Sequence, residues 1–236
     1  MDWKSFVVKP ELSGMEIGQL RDLARREFET YRIYPESLQQ SGESLFFITW
    51  NDQRKVLVIV GEGASYGTFS GEEITLATGK AKICDLTVAN SQALAKVFPF
   101  TAPRNHRGIP ITVGLGDRLG LASPGHLRLI HKHSVFPVLA QQSIRELNLT
   151  GRTYPEVLAA AAWAVFQEGY TAGYGADGDH LKTAAEIKMA LEAGFTMITL
   201  DCSEHIDNSV GALTPAEIEA RYAQIPANTR QELEAK

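Results

Sequence analysis

The sequence predicts an α/β protein: a parallel unit of the (β/α) TIM-barrel-like kind, about half a barrel, preceded by a small α+β region. Three observations predict it. Residues 109–225 alternate an apolar run with a capped helical pattern four times, the arrangement of a parallel sheet with crossover helices. Before residue 100 the texture differs, with one amphipathic helix followed by closely spaced β-rich runs. Between them lies "PFTAPRNHRGIP", residues 99–110, with three prolines and little periodicity. The expected domains are therefore 1–100 and 101–236, the second being the first half of a (β/α)8-type barrel. A small doubly wound sheet is the other parallel architecture that four units allow.

The N-terminal elements follow from local pattern. Ile17, Leu20, Leu23, Ala24 and Phe28 recur at helical spacing, which predicts a helix over 15–31. "SLFFITW" and "KVLVIVG" are rich in β-branched and aromatic residues and flank the short polar link "NDQR", a hairpin signal. "EEITLATGKAKICDLT" adds a strand or two. "NSQALAKVF" reads as a short helix capped by Asn90 or Ser91.

In the second region, "IPITVGLGD" is a buried-type strand, and "SPGHLRLIHKH" a helix with Ser123 as N-cap and Pro124 at its first position. "VFPVLAQQ" is the second strand. "YPEVLAAAAWAVFQEG" is a strong helix ending at Gly169. "YTAGYGADGDH" is a third strand interrupted by glycines. "TAAEIKMALEAG" is a helix with a Thr183–Glu186 capping box and Gly194 at its end. "FTMITLDCS" is the fourth strand, and "TPAEIEARYAQI" a last helix capped by Thr214. "ANTRQELEAK" is a polar tail.

Composition narrows the function classes. The net charge of −5 gives no reason to expect nucleic acid or an anionic membrane as partner. Two cysteines far apart in sequence, Cys84 and Cys202, read as free thiols in a reducing compartment. The N-terminus has no apolar signal region, and "EVLAAAAWAVF" is too short to span a bilayer. The expectation is a cytoplasmic protein acting on a small molecule.

In either parallel architecture the chemistry belongs at the C-terminal ends of the strands. Polar residues gather there. The first unit ends with Asp117, Arg118, Ser123 and His126, and the second with Gln141 and Gln142. The third ends with Asp177, Asp179, His180 and Lys182, and the fourth with Asp201, Glu204, His205 and Asp207. Loops are polar for reasons of solvation and capping too, so the pattern counts as a set rather than residue by residue. Carboxylate and imidazole together at two strand ends suit a divalent metal with mixed N/O ligands: zinc, manganese, nickel or iron. Lys182 offers a general base, a Schiff-base amine, a substrate anchor or an ordinary exposed lysine. Arg118 has the geometry to hold a carboxylate bidentately. Gly114, Gly116 and Gly120 have the wrong spacing for a dinucleotide fingerprint, and no acidic residue ends the next strand. A nicotinamide oxidoreductase is disfavoured for that reason; these glycines read as tight turns and close approach to a ligand.

Four ordered segments carry a family likeness: "FPFTAPRNHRGIPITVGLGDRLGLASPGHLRLI", "PVLAQQSIRELNLTGRTYPEVLAAAAWAVFQEGY", "GYGADGDHLKT" and "TLDCSEHID". Together they resemble the tagaturonate epimerases, metal-dependent enzymes of hexuronate breakdown that interconvert D-tagaturonate and D-fructuronate. The likeness runs from about residue 45 to the C-terminus. It implies a sugar-acid substrate, a divalent metal ion and retro-aldol chemistry. It also implies a family chain roughly twice this length, so that a missing C-terminal half or a homo-oligomer is the expected partner, and an inactive fragment the expected alternative. Another metal-dependent barrel aldolase or isomerase would look similar. On this resemblance Asp179 and Glu204 are acid/base candidates, and His180, Asp201 and His205 metal ligands. Asp117, Arg118, Gln141 and Lys182 are substrate contacts.

Overall fold

The computed structural model describes residues 15–26, 32–50, 53–76 and 79–235. The signal-region reading of the first residues lies outside them. One compact unit runs to Leu200, and Asp201–Lys236 form a second, smaller one.

In the first unit, an antiparallel sheet contains β1 (Gln39–Ser41), β2 (Ser44–Trp50), β3 (Lys55–Val60), β4 (Glu72–Leu76) and β5 (Gly79–Asp85), in the order β1-β2-β3-β5-β4. The expected hairpin is present, with Leu45 opposite Val60 and Trp50 opposite Lys55. Both faces of this sheet are covered, which is why its central strands read as continuous apolar runs. Phe47, Val56 and Val58 pack with Leu20 and Ala24 of α1 (Ile17–Arg26). The expected end of that helix, 27–31, lies outside the described residues. Phe46, Ile48, Leu57 and Ile59 face the other core.

Helix α2 (Val88–Val97) starts earlier than its sequence suggests. Thr87 is the N-cap, and its hydroxyl accepts from the Asn90 N–H. Asn90 is used elsewhere: its side chain accepts from Ser70 N–H and donates to the carbonyls of Ser70 and Asp85, tying the helix to the sheet.

The second sheet is parallel: β6 (Thr112–Gly116), β7 (Phe136–Gln142), β8 (Gly175–Leu181) and β9 (Met197–Leu200), in the order β6-β7-β8-β9. Each strand lies beside its predecessor, without the reversal of order that defines a doubly wound sheet. The sheet is open; the described residues contain no closed barrel. Four helices interleave with it: α3 (Ser123–Ile130), α4 (Ile144–Thr150), α5 (Tyr154–Gln167) and α6 (Ala184–Ala193). Helix α4 was not expected, although Ser143 and Glu146 form a reciprocal capping box at its start.

Helix α5 joins the two sheets into one unit. Val157, Ala161, Ala164 and Val165 pack in the core of the parallel sheet, while Ala159, Trp163 and Phe166 pack in the core shared with β2 and β3. A helix covered on both sides needs apolar residues all round, and its alanines let neighbours approach closely. Thr153 and Glu156 cap its start, and Gly169 follows its end at φ 58°.

The second unit holds two 3-10 turns, Ser203–His205 and Asn208–Ala212, then α7 (Pro215–Gln224) and α8 (Ala227–Glu234). Thr214 caps α7 as expected, and Glu217 closes a capping box with it. The polar tail is helical, because the segment after Pro226 consists largely of good helix formers. No helix among the described residues is long and apolar enough to cross a membrane. Both cysteines are free.

Candidate active site

The C-terminal ends of β6, β7 and β8 enclose a cleft of about 510 Å³. It is lined by Gly116, Asp117, Arg118, Gln141, Glu146, Asp179 and His180, together with apolar residues of the loop after β6. Three of the strand ends expected to carry chemistry thus do converge.

The loop after β6 is organised by Asp117. One carboxylate oxygen accepts from Leu121 N–H at 2.9 Å; the other accepts from the N–H groups of Ala122 and Ser123 and from the Ser123 hydroxyl, at 2.8–2.9 Å. Burial pushes this carboxyl up, but the donors from Ser123, Ala122 and Leu121 outweigh it and hold its pKa below the ordinary aspartate value. This also shifts the start of α3. The Ser123 hydroxyl is given to Asp117, so Ser123 is the first helical residue and Ala122 precedes it as N-cap. Asp117 therefore lines the cleft with its oxygens already occupied by its own loop. The Arg118 carbonyl accepts from Gln142 Nε2 at 3.2 Å and Arg152 Nη1 at 3.3 Å, which fixes the loop against the end of β7 and the link between α4 and α5.

Arg118 extends its guanidinium into the cleft, 3.2 Å from Glu146. Glu146 is nearly buried. Burial raises its carboxyl, while the N–H and hydroxyl of Ser143, then Arg118 and Arg145, bring it below the usual glutamate value. Sequence reasoning missed Glu146; the S-x-x-E pattern from Ser143 was the available signal.

Strands β7 and β8 each carry one extra residue near the cleft. Leu139 and Gln142 pair with Ala176 and Gly178, and Gly178 and Leu181 pair with Ile198 and Leu200, so three residues oppose two each time. The extra residues are Ala140 and His180, in left-handed backbone at φ 54° and 53°. The bulge at His180 lets Asp179 face the cleft while Leu181 returns to the core. Asp179 and His180 thus sit at the end of the third strand, as its sequence suggests, with Leu181 continuing the strand.

Asp179 is partly buried, and its carboxyl is pushed above the ordinary aspartate value. Burial is the main cause; Asp177 and Glu146 add to it, and His180 opposes it. His180 Nε2 lies 3.6 Å from Asp179 Oδ2, with a largely exposed ring. Lys182 is not among the cleft-lining residues; its backbone N–H donates to Glu186 at the start of α6. Asp177 lies beneath the cleft, 1% exposed, and accepts from Thr199 and Gln141.

The glycines of "TVGLG" are corrected by the structure. Gly114 and Gly116 lie within β6 rather than in a turn. A Cβ at Gly114 would sit 3.2 Å from Gln141 Oε1 and 3.3 Å from Nε2, so this glycine makes room for Gln141. Gly120, at φ 73°, is the turn residue.

The fourth strand's residues belong to the second unit. Asp201 accepts from the Ser203 N–H at 2.9 Å, and Glu204 and His205 are exposed in the 3-10 turn. The mixture of imidazole and carboxylate suits a borderline divalent ion. The grouping does not: among the described residues no three His, Cys, Asp or Glu side chains cluster to hold a metal ion.

A parallel sheet with crossover helices and a polar cleft at its strand ends defines an α/β protein of the type that binds small molecules at that rim. The model of the family described as UxaE, tagaturonate epimerase, matches residues 34–236, and the chain belongs to that family. A tagaturonate/fructuronate epimerase of Thermotoga maritima is 37% identical over 195 residues, 83% of this chain and 40% of the relative. Crystal structures of the fructuronate-tagaturonate epimerase UxaE from Cohnella laeviribosi are similar as well. The one complexed with one glycerol is 45% identical with a TM-score of 0.79, covering 93% of this chain and 44% of that one. The native form gives the same identity and TM-score over 92% and 44%. The chain thus spans less than half the length of these relatives.

Proposed function

We propose that this chain supplies one part of the active site of a sugar-acid epimerase interconverting D-tagaturonate and D-fructuronate. The observation that carries this reading is the convergence of Arg118, Gln141 and Asp179 on one cleft at the strand ends. It is supported by membership of the tagaturonate epimerase family. The sequential strand order supports reading the parallel sheet as an arc of a barrel.

The two sugar acids differ at a carbinol carbon β to the ketone, whose hydrogen enolisation does not make acidic. A retro-aldol route accounts for inversion there. A base removes the proton of the β-hydroxyl, and the bond between the β- and α-carbons breaks. Its electrons pass into an enediolate while the carbinol carbon becomes an aldehyde. The aldehyde turns its other face, the bond re-forms, and the proton returns to the new alkoxide. Asp179 is the base in this scheme: a carboxyl held above the ordinary aspartate value is a better proton acceptor than an exposed one. Arg118 holds the substrate carboxylate. Glu204 is the second acid/base candidate, and Lys182 a further contact to the sugar acid.

A divalent ion, zinc, manganese, nickel or iron, is part of the proposal; His180, Asp201 and His205 do not cluster into a ligand set among the described residues, so any of them that binds it would need donors from outside this chain. No reaction step is assigned to it. The portion of the family chain that this one does not span, or a second copy, would supply the remaining groups; Leu119, Leu121 and Leu200 are large apolar residues left exposed near the strand ends. The composition and the two free thiols support a cytoplasmic setting.

The test is incubation of the purified chain with D-tagaturonate, with and without added metal ions, with product followed by NMR. Appearance of D-fructuronate, abolished in D179N, supports the reading. No turnover by a folded, metal-loaded sample rejects it for the chain alone.

A further inference from the structure

Asp177 has no role in the mechanism above, yet its surroundings are unusual. Its carboxylate is buried, and among the described residues its hydrogen-bond donors are neutral, while the Asp179 carboxyl lies close enough to be raised by it. Thr199 Oγ1 lies 3.0 and 2.9 Å from its two oxygens, and Gln141 Nε2 donates to Oδ2 at 3.4 Å. A buried carboxylate held by neutral donors is costly.

What it organises lies one strand away. Gln141 lines the cleft, and its amide rests against Gly114, where there is no Cβ to displace it. Its Oε1 is also the side-chain atom nearest to a Cβ position at Gly116, 3.8 Å away, and Gly116 lines the cleft. The Nε2 points to Asp177. A primary amide can present either its donor or its acceptor end to a ligand. A carboxylate only accepts, so Asp177 takes the NH2 group and leaves the carbonyl for the cleft. Thr199 on β9 holds Asp177 from the far side, so three adjacent strands fix one amide.

We propose that Asp177 is a positioning residue that locks Gln141 with its carbonyl oxygen toward the cleft, making this subsite an acceptor for a hydroxyl group of a polyhydroxylated ligand. The subsite then disfavours a carboxylate, which brings no donor, and leaves that end of a sugar acid to Arg118. The inference deepens the epimerase reading and rests on it for the identity of the ligand, but not for the Asp177–Gln141 pairing.

The pairing is read by side-chain amide NMR of the full chain, with the Gln141 signals identified by their loss in Q141A. In the wild type, one Gln141 amide proton should be protected from solvent exchange, and the protection should vanish in D177A. Glycerol should shift these signals, and acetate at the same concentration should not. With D-tagaturonate as substrate, D177N should raise KM about tenfold with kcat within about threefold, the loss expected for one hydrogen bond. D177N/Q141E puts the donor at 177 and the carboxylate at 141 at the same total charge, and should restore KM to within about threefold. T199V, which loosens Asp177 without removing it, should give an intermediate KM if D177N does not fold. An unprotected Gln141 amide in the folded wild type, acetate shifting it as glycerol does, or D177N with unchanged KM overturns the proposal. Protected amide protons and the glycerol response in a chain that does not turn over D-tagaturonate would reject turnover by this chain alone and leave this inference standing.

Discussion

Ala140 and His180 occupy equivalent places on neighbouring parallel strands: each is the extra residue of a bulge, each is left-handed, and each directly adjoins a cleft-lining residue, Ala140 beside Gln141 and His180 beside Asp179. Left-handed backbone costs a non-glycine residue about 1–2 kcal/mol, so two such residues at one rim mark where the fold accepts strain to aim side chains.

That strain can be measured at Ala140. A140G removes the Cβ clash but loosens the unfolded chain, and is expected to change stability by less than about 1 kcal/mol. A140V puts a β-branched residue into the same left-handed backbone in a buried position and should cost about 2 kcal/mol or more. Urea unfolding of the two variants checks this; equal stabilities would mean that the bulge is not held in solution.

Gly114 is expected to matter for the cleft more than for the fold. The Cβ of G114A would press on the Gln141 amide at 3.2–3.3 Å, whereas that of G116A meets its nearest atom at 3.8 Å, an ordinary contact. G114A should therefore raise KM for the sugar acid, with G116A closer to wild type, while both retain the wild-type circular dichroism spectrum.

Asp117 links pH to stability. Its folded-state pKa lies below the ordinary value, so its contribution is present above the unfolded carboxylate pKa of about 4 and is lost as pH falls through the folded value. D117A leaves the donors of Leu121, Ala122 and Ser123 without their acceptor and should cost about 1–3 kcal/mol at pH 7. Urea titrations from pH 7 to pH 2 should show the gap between wild type and D117A narrowing at the acid end. A gap independent of pH would rule out the carboxylate as its source.

Asp179 is held in a place that disfavours its charge. D179N is expected to lower turnover at least about a hundredfold, in line with loss of a general base. It should leave stability at pH 7 unchanged or slightly higher, because a partly buried charge is removed. Paired kinetic and thermal-unfolding measurements decide it; full turnover in D179N would move the base elsewhere.

Much of the architecture was legible because its signals are local. The Thr183–Glu186 capping box, the Thr214 cap, Gly169 and Gly194 past helix ends, and the alternation of elements from 109 to 225 all act within a few residues. Helix α4 is the exception: its Ser143–Glu146 box is equally local, but at 7 residues it carries too little apolar periodicity to stand out in the sequence. The start of α3 was misplaced for another reason: the Ser123 hydroxyl that would cap it is claimed by Asp117, six residues earlier.

By itself the sequence determined the succession of strands and helices, the rim on which polar groups collect and the family likeness, since each depends on residue order and short-range chemistry. Only the tertiary structure decided that Asp117 is spent on its own loop and that Glu146 joins the cleft. It alone showed that Gly114 makes room for Gln141 and that Asp177 lies beneath that amide. These relationships depend on strand register, and one extra residue in β7 and in β8 changes which side chains meet across the sheet. No short-range pattern encodes that register; it follows from packing Leu139, Ala176 and Leu181 into one core with the helices.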